Sequence, residues 1–94
     1  MLSQIPAEFK SVKKEDLDKE ILRTGIIAEH DAVSLYEQMA ALTKNKNIIK
    51  ILLDIAKEEK THVGEFEALL LKIDKEQARE MAAGKKEVEK KTGK

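Results

Sequence analysis

The 94-residue chain has no cysteine and no tryptophan, a single proline, four glycines, two phenylalanines and one tyrosine. Without cysteine there can be no disulfide, no thiolate zinc site, no iron–sulfur cluster and no thiol nucleophile. Charge of either sign is not in excess, because 18 Lys and Arg stand against 18 Asp and Glu. Nucleic acid or an anionic membrane surface calls for a clustered positive excess. The one basic-rich stretch, residues 85–94, is interrupted by Glu87 and Glu89. No apolar run approaches the roughly 20 residues of a membrane span. The first ten residues are too short and too polar for a secretory signal. The expectation is a cytoplasmic protein with no nucleic-acid and no membrane partner. Strand-like alternation is also missing, which predicts an all-α fold.

What is present is helical periodicity. Residues 1–13 read as an arm, with Pro6 disfavouring helix before it and Leu2, Ile5, Phe9 and Val12 able to dock on a neighbour. A first long helix is expected from about Lys14 to Thr43. Its apolar stripe runs Leu17, Ile21, Leu22, Ile26, Val33, Tyr36, Met39 and Ala40, spaced by three and four. Lys44-Asn45-Lys46-Asn47 is a polar break, and either asparagine can cap the next helix. That second long helix is expected from about Ile48 to Ile73. Asp74 and Gln77 have capping-box spacing and should start a short third helix, which Gly84 should end. The remainder, 85–94, reads as a charged tail. Residues 14–84 therefore form a helical hairpin plus a short helix. Two long helices cannot enclose a core alone, so two hairpins should dimerise into a four-helix bundle.

The apolar stripe of the second helix contains an anomaly. Leu52, Ile55, Val63, Phe66 and Leu70 share a helical phase, and Glu59 and His62 share it with them. Residues three apart on a helix share a face, so a carboxylate and an imidazole point where a core should be. A buried unpaired carboxylate is very costly; in practice it is paired, protonated or bound to metal. The first helix carries a matching anomaly, Glu29, at the phase of Leu22, Ile26, Val33 and Tyr36. Gly25, one turn before Glu29, lacks a side chain and so allows close approach of another helix or a ligand. Its presence costs roughly 1 kcal/mol of helix propensity.

Each hairpin thus offers one inward Glu and one inward Glu-x-x-His. Doubling that set gives the ligands of di-iron carboxylate bundles. Carboxylate and imidazole suit Fe²⁺ and Mn²⁺, with Zn²⁺ or Ca²⁺ as substitutes. The predicted metal ligands are Glu29, Glu59 and His62, at a site shared across a two-fold axis. Tyr36, two turns from Glu29, is a candidate to hydrogen-bond a ligand or supply an electron. Two plainer readings stand beside this one. The pair could lie on a solvated, misphased face, or form a polar cluster that holds dimer register without metal. His30 and the glutamates at 58, 65 and 67 read as solvent face, and Met39 and Met81 as packing residues.

At Ile27-Ala-Glu-His-Asp-Ala-Val-Ser-Leu-Tyr-Glu and Ile55-Ala-Lys-Glu-Glu-Lys-Thr-His-Val-Gly-Glu-Phe the chain resembles the encapsulated ferritins, half-length members of the ferritin-like superfamily. The likeness covers about residues 14–84. Glu29, Tyr36, Glu59 and His62 match the family pattern in type and spacing. The resemblance implies a ferroxidase that oxidises Fe²⁺ with O₂ at a dimer interface. It also implies a decameric ring of five dimers, housed in an encapsulin shell that stores the mineral. A metal-stapled structural or cargo module without turnover is the alternative, as is a rubrerythrin-like peroxide scavenger. Two departures from the pattern stand out. Outer carboxylate positions hold Ala28 and Asp31, which leaves Asp31 and His30 as the only basis for an accessory metal site. The chain also ends without the Gly- and Leu-rich docking peptide of the family. It is either a domain cut from a shell fusion, a protein that reaches its shell another way, or one with no shell.

Overall fold

The structure is a computed structural model that describes residues 13–94. Three helices succeed one another: α1 (Lys14–Leu42), α2 (Lys46–Ile73) and α3 (Lys75–Thr92). The expected arm, apart from Lys13, lies outside the described residues. At about 1.5 Å per residue, α1 and α2 are each some 42 Å long. They lie antiparallel because only Thr43, Lys44 and Asn45 separate them. The turn satisfies its own polar groups. The Thr43 amide donates to the Met39 carbonyl at 3.2 Å, and the Asn45 amide to Thr43 Oγ1 at 3.2 Å. Asn45 is the cap of α2; its Oδ1 accepts from the amides of Asn47 (3.0 Å) and Ile48 (3.2 Å). The helix therefore starts two residues before the expected Ile48.

Packing is dominated by α1 against α2. Ala40, Ala56 and Leu70 are buried, yet no large described side chain is fully buried. The small alanines let the two helices draw close in the half nearer the turn. Elsewhere Ile21, Ile48, Ile51, Leu69 and Ile73 remain exposed. The four on α2 stand at the helical phase of His62 and Phe66, so one broad face of the hairpin is apolar and not covered by the other described residues. Met81, expected as a packing residue, is also exposed.

The third helix departs from expectation. It does not stop at Gly84 but continues to Thr92, so residues 85–92 are helix rather than tail. Gly84 is tolerated because a side chain there would meet nothing within 4 Å, leaving only its intrinsic propensity cost. Lys and Glu, which are good helix formers, make up most of residues 85–92 and carry the helix onward. Lys90 and Lys91 sit in the last turn, where cations complement the helix dipole. The left-handed cap is Gly93 instead, at φ 78°, with its amide donating to the Glu89 carbonyl at 2.8 Å. The molecule measures 46 × 43 × 18 Å. A helix pair is only about 20 Å wide, so the second long dimension requires α3, about 27 Å long, to project from the hairpin.

Asp74 fixes that corner. It is buried, closes α2 through its amide to the Leu70 carbonyl (2.8 Å), and caps α3 by accepting from the Gln77 amide (3.0 Å). Its other oxygen accepts from Arg23 Nη2 of α1 at 2.8 Å, while Arg23 Nη1 donates to Glu20 at 2.7 Å. The Gln77 amide holds the Asp74 carboxyl below its ordinary value of 3.8, helped by Lys19 and Arg23 and opposed by burial. The Arg23 guanidinium is correspondingly raised, chiefly by its hydrogen bond to Glu20. A depressed folded-state value means that the ionised form stabilises the fold above the unfolded value and loses that effect as pH falls through the folded one. Asp74→Asn keeps a capping oxygen but not the charge; Asp74→Ala keeps neither. Thermal melts should rank wild type above Asp74→Asn above Asp74→Ala at neutral pH. The first gap should begin to narrow as pH falls through the ordinary carboxyl value and close only below the depressed folded-state one, where the wild-type carboxyl is itself protonated.

Candidate metal centre

The antiparallel register brings Glu29 of α1 opposite Glu59 and His62 of α2. One ligand atom from each lies within 4.8 Å of the others. His62 Nδ1 stands 3.4 Å from Glu29 Oε2 and 3.7 Å from Glu59 Oε2. The Glu29 and Glu59 side chains are 18% and 19% exposed, whereas His62 is 45% exposed. Two carboxylates thus sit in the seam and the imidazole stands at its mouth, on the apolar face. Leu52, Ile55, Val63 and Phe66 are half-buried and Leu70 is buried. They fix the phase that sets Glu59 and His62 on the apolar side of α2 rather than on its charged side.

Glu29 Oε2 is buried and accepts no hydrogen bond from the described residues; His62 Nδ1 lies within ion-pair range but not in hydrogen-bonding geometry. Leaving a buried acceptor unsatisfied costs about 1–3 kcal/mol, and more for a charged group. With a neutral imidazole the trio carries two negative charges, which repel at this spacing. A divalent cation removes both penalties. Two carboxylate oxygens and one imidazole nitrogen make a mixed donor set that fits Fe²⁺, Mn²⁺ or Zn²⁺. Three ligands do not complete the coordination of such ions, so positions remain open for a further partner.

The other candidates fall outside this cluster. Tyr36 is half-buried on α1, seven residues and hence about 10 Å of helix rise beyond Glu29. His30 is exposed and Asp31 half-buried, and neither joins a three-ligand group among the described residues. Glu58 and Glu65 are not part of the trio either; Glu58 is exposed. Glu67, expected on the solvent face, is half-buried instead. It lines a groove of about 340 Å³ between Ile26, Ile27, Leu70 and Met81 in the angle under α3. Lys60 reaches Glu37 of α1 at 3.0 Å and ties the two helices beyond the trio. The space beside Gly25, expected from the sequence, is filled by the Phe66 ring. Sequence spacing alone gave no sign that Phe66 would be the residue there.

Comparison with known proteins places these features in a family. A rubrerythrin family model matches residues 20–93. The chain is 57% identical over 84 residues to a ferritin-like-encapsulin shell fusion protein of Pyrococcus furiosus, covering 89% of this chain and 24% of that protein. It therefore spans about a quarter of the length of that curated relative. The crystal structure of the encapsulated ferritin domain from Pyrococcus furiosus matches with a TM-score of 0.84 at 53% identity. That match covers 88% of this chain and 85% of the other.

The orphaned oxygen gives a test of metal binding that is separate from catalysis. Added Zn²⁺ or Mn²⁺ should raise the melting temperature, since a ligand at a hundred times its Kd stabilises by about 2.7 kcal/mol. Glu29→Gln should leave the metal-free melting temperature equal or higher, because it removes a buried charge, and should abolish the metal-induced rise.

Proposed function

This chain belongs to the encapsulated ferritins, and on that footing we propose that it is a ferroxidase acting at a di-iron site shared between two copies. The observation that carries the reading is the placement of the trio. Two seam carboxylates, one with an orphaned oxygen, and a half-exposed imidazole sit on an uncovered apolar face. A second copy laid on that face would bury the exposed half of Ile21, Ile48, Ile51, Leu69 and Ile73, each worth roughly half of the 1.5–3 kcal/mol of a full burial. It would also bring a second Glu29, Glu59 and His62. Four carboxylates from two copies match the charge of two divalent ions, and the six side chains form the ligand set of carboxylate-bridged di-metal bundles. Without metal the same four carboxylates would repel. Metal uptake and pairing therefore support each other.

Fe²⁺ is the substrate in this reading. Each ion gives up one electron, and two electrons with two protons reduce O₂ to H₂O₂. The chain's own part is to bind and orient. Glu29 and Glu59 supply anionic oxygens that favour the higher charge of Fe³⁺, and His62 Nδ1 supplies a neutral donor. The apolar surround limits water. Tyr36 stands two turns along as a candidate electron donor or hydrogen-bonding group. The groove between Ile27 and Met81 offers a separate contact through which dimers could close into the decameric ring that the family resemblance implies. The fusion to an encapsulin shell in the Pyrococcus furiosus relative supports a place within such a shell, in the cytoplasm, where the oxidised iron would be stored. No helix among the described residues is long and apolar enough to cross a membrane.

The match to a rubrerythrin model favours one second reading, reduction of peroxide. With no cysteine in the chain, that reaction has no internal rubredoxin relay and needs an external reductant. The test is Fe²⁺ oxidation monitored by absorbance and oxygen uptake, with O₂ or H₂O₂ as oxidant. Wild type should consume O₂, while Glu29→Ala, Glu59→Ala and His62→Ala should fall to the uncatalysed background. Equal rates in all four proteins would refute the assignment. Bound metal without oxygen uptake would favour a structural metal staple, and a preference for H₂O₂ would favour the peroxide reading.

A further inference from the structure

Among the helix-interior glycines, Gly25 alone has a neighbour. A Cβ at Gly64 or Gly84 would meet nothing within 4 Å. A Cβ at Gly25 would stand 3.2 Å from Cδ2 and Cε2 of Phe66 and 3.4 Å from its Cζ. Ordinary carbon contacts are about 3.5–4.0 Å, so the ring already occupies the space that any side chain at position 25 would need. Gly25 costs α1 roughly 1 kcal/mol relative to alanine, and the ring is the local reason for it.

The position of this contact gives it a further meaning. Four residues on from Gly25 along α1 is Glu29. Four residues back from Phe66 along α2 is His62. In an antiparallel pair these steps run in the same direction, so the Gly25–Phe66 contact lies one helical turn from the Glu29–His62 approach of 3.4 Å. The spacing of the helices at that level is set by one aromatic ring against bare backbone. A methyl group added there must push Phe66, or α2 with it, by a few tenths of an ångström. Ligand positions for a bound metal tolerate only about 0.2 Å.

We propose that Gly25 and Phe66 are positioning residues of the metal centre, holding α1 and α2 at the separation that lets Glu29 meet Glu59 and His62. The proposal rests on the metal reading of that trio. Neither residue need touch the ion. The glycine is kept for the geometry of the next turn at the expense of helix stability. Gly25→Ala should therefore separate two properties that a purely packing role would move together.

The experiment uses the full chain with Co²⁺ as the probe. Affinity is measured by isothermal titration, coordination by the visible absorption of bound Co²⁺, and metal-free stability by thermal melts. The proteins are wild type, Gly25→Ala, Phe66→Leu, the double variant Gly25→Ala/Phe66→Leu, and His62→Ala. Gly25→Ala should weaken Co²⁺ binding about tenfold or more, the scale on which supporting residues act, and should alter the Co²⁺ spectrum. Its metal-free melting temperature should not fall. The double variant, with a smaller side chain opposite the new methyl, should regain most of the lost affinity. Unchanged Co²⁺ affinity in Gly25→Ala, with His62→Ala no longer binding, would overturn the positioning role and leave the metal site intact. Lost affinity together with an equal loss of metal-free stability and no recovery in the double variant would also overturn it. Equal binding by wild type and His62→Ala would remove the metal reading and this proposal together.

Discussion

The register of α1 against α2 is the constraint on which the other features depend. One residue of slip would turn a helical side chain through about 100° and carry Glu59 out of the seam. The register is held at several levels. The three-residue turn and the small pair Ala40 and Ala56 hold one end. The Phe66 ring beside Gly25 holds the middle. Leu70 and the Arg23–Asp74 link hold the other. None of these contacts is large, and a hairpin has no enclosed core to enforce its own alignment. Distributed contacts substitute for one strong one.

The polar trio works against that alignment. An apolar seam would be the more stable choice at positions 29, 59 and 62, since buried charges recover their desolvation cost only with good partners. The fold accepts an unsatisfied carboxylate oxygen at its best-packed surface. It also leaves several isoleucines and leucines in water. Both features destabilise a lone hairpin, and a cation together with a second apolar face would relieve both. Asp74 shows the contrasting case of a buried carboxylate with its partners supplied internally, by Gln77 and Arg23. Asp74 is a carboxylate whose partners the fold supplies, whereas Glu29 keeps an oxygen that no described group meets with a hydrogen bond.

Much of this could be read from the sequence, for reasons that differ between elements. The two long helices and the seam positions of Glu29, Glu59 and His62 followed from apolar spacing, because periodicity is a local property. The Asp74 cap was legible through its partner three residues away. The Arg23 contact to Asp74, 51 residues distant, was not, since nothing local announces a partner across the fold. The end of α3 does not fall at Gly84, where the sequence predicts it. Glycine marks a helix stop only when the chain adopts positive φ there, and that conformation belongs to Gly93. Gly25 was recognised as an opening for close approach, but only the fold identifies Phe66 as the ring that fills it. The surroundings of Glu67 and Met81 depend on where α3 lies, which no local pattern announces.

The exposure of His62 has a consequence for how such a protein would be controlled. A catalytic centre of the proposed kind, divided equally between two identical chains, has an output that falls as the square of concentration once most chains are unpaired. Dilute chains would be nearly silent, however much substrate surrounds them. Tethering copies side by side at millimolar effective concentration would switch the same sequence on without any change in its structure. For a reaction that can release peroxide, this dependence on crowding would keep the chemistry silent wherever stray copies drift apart.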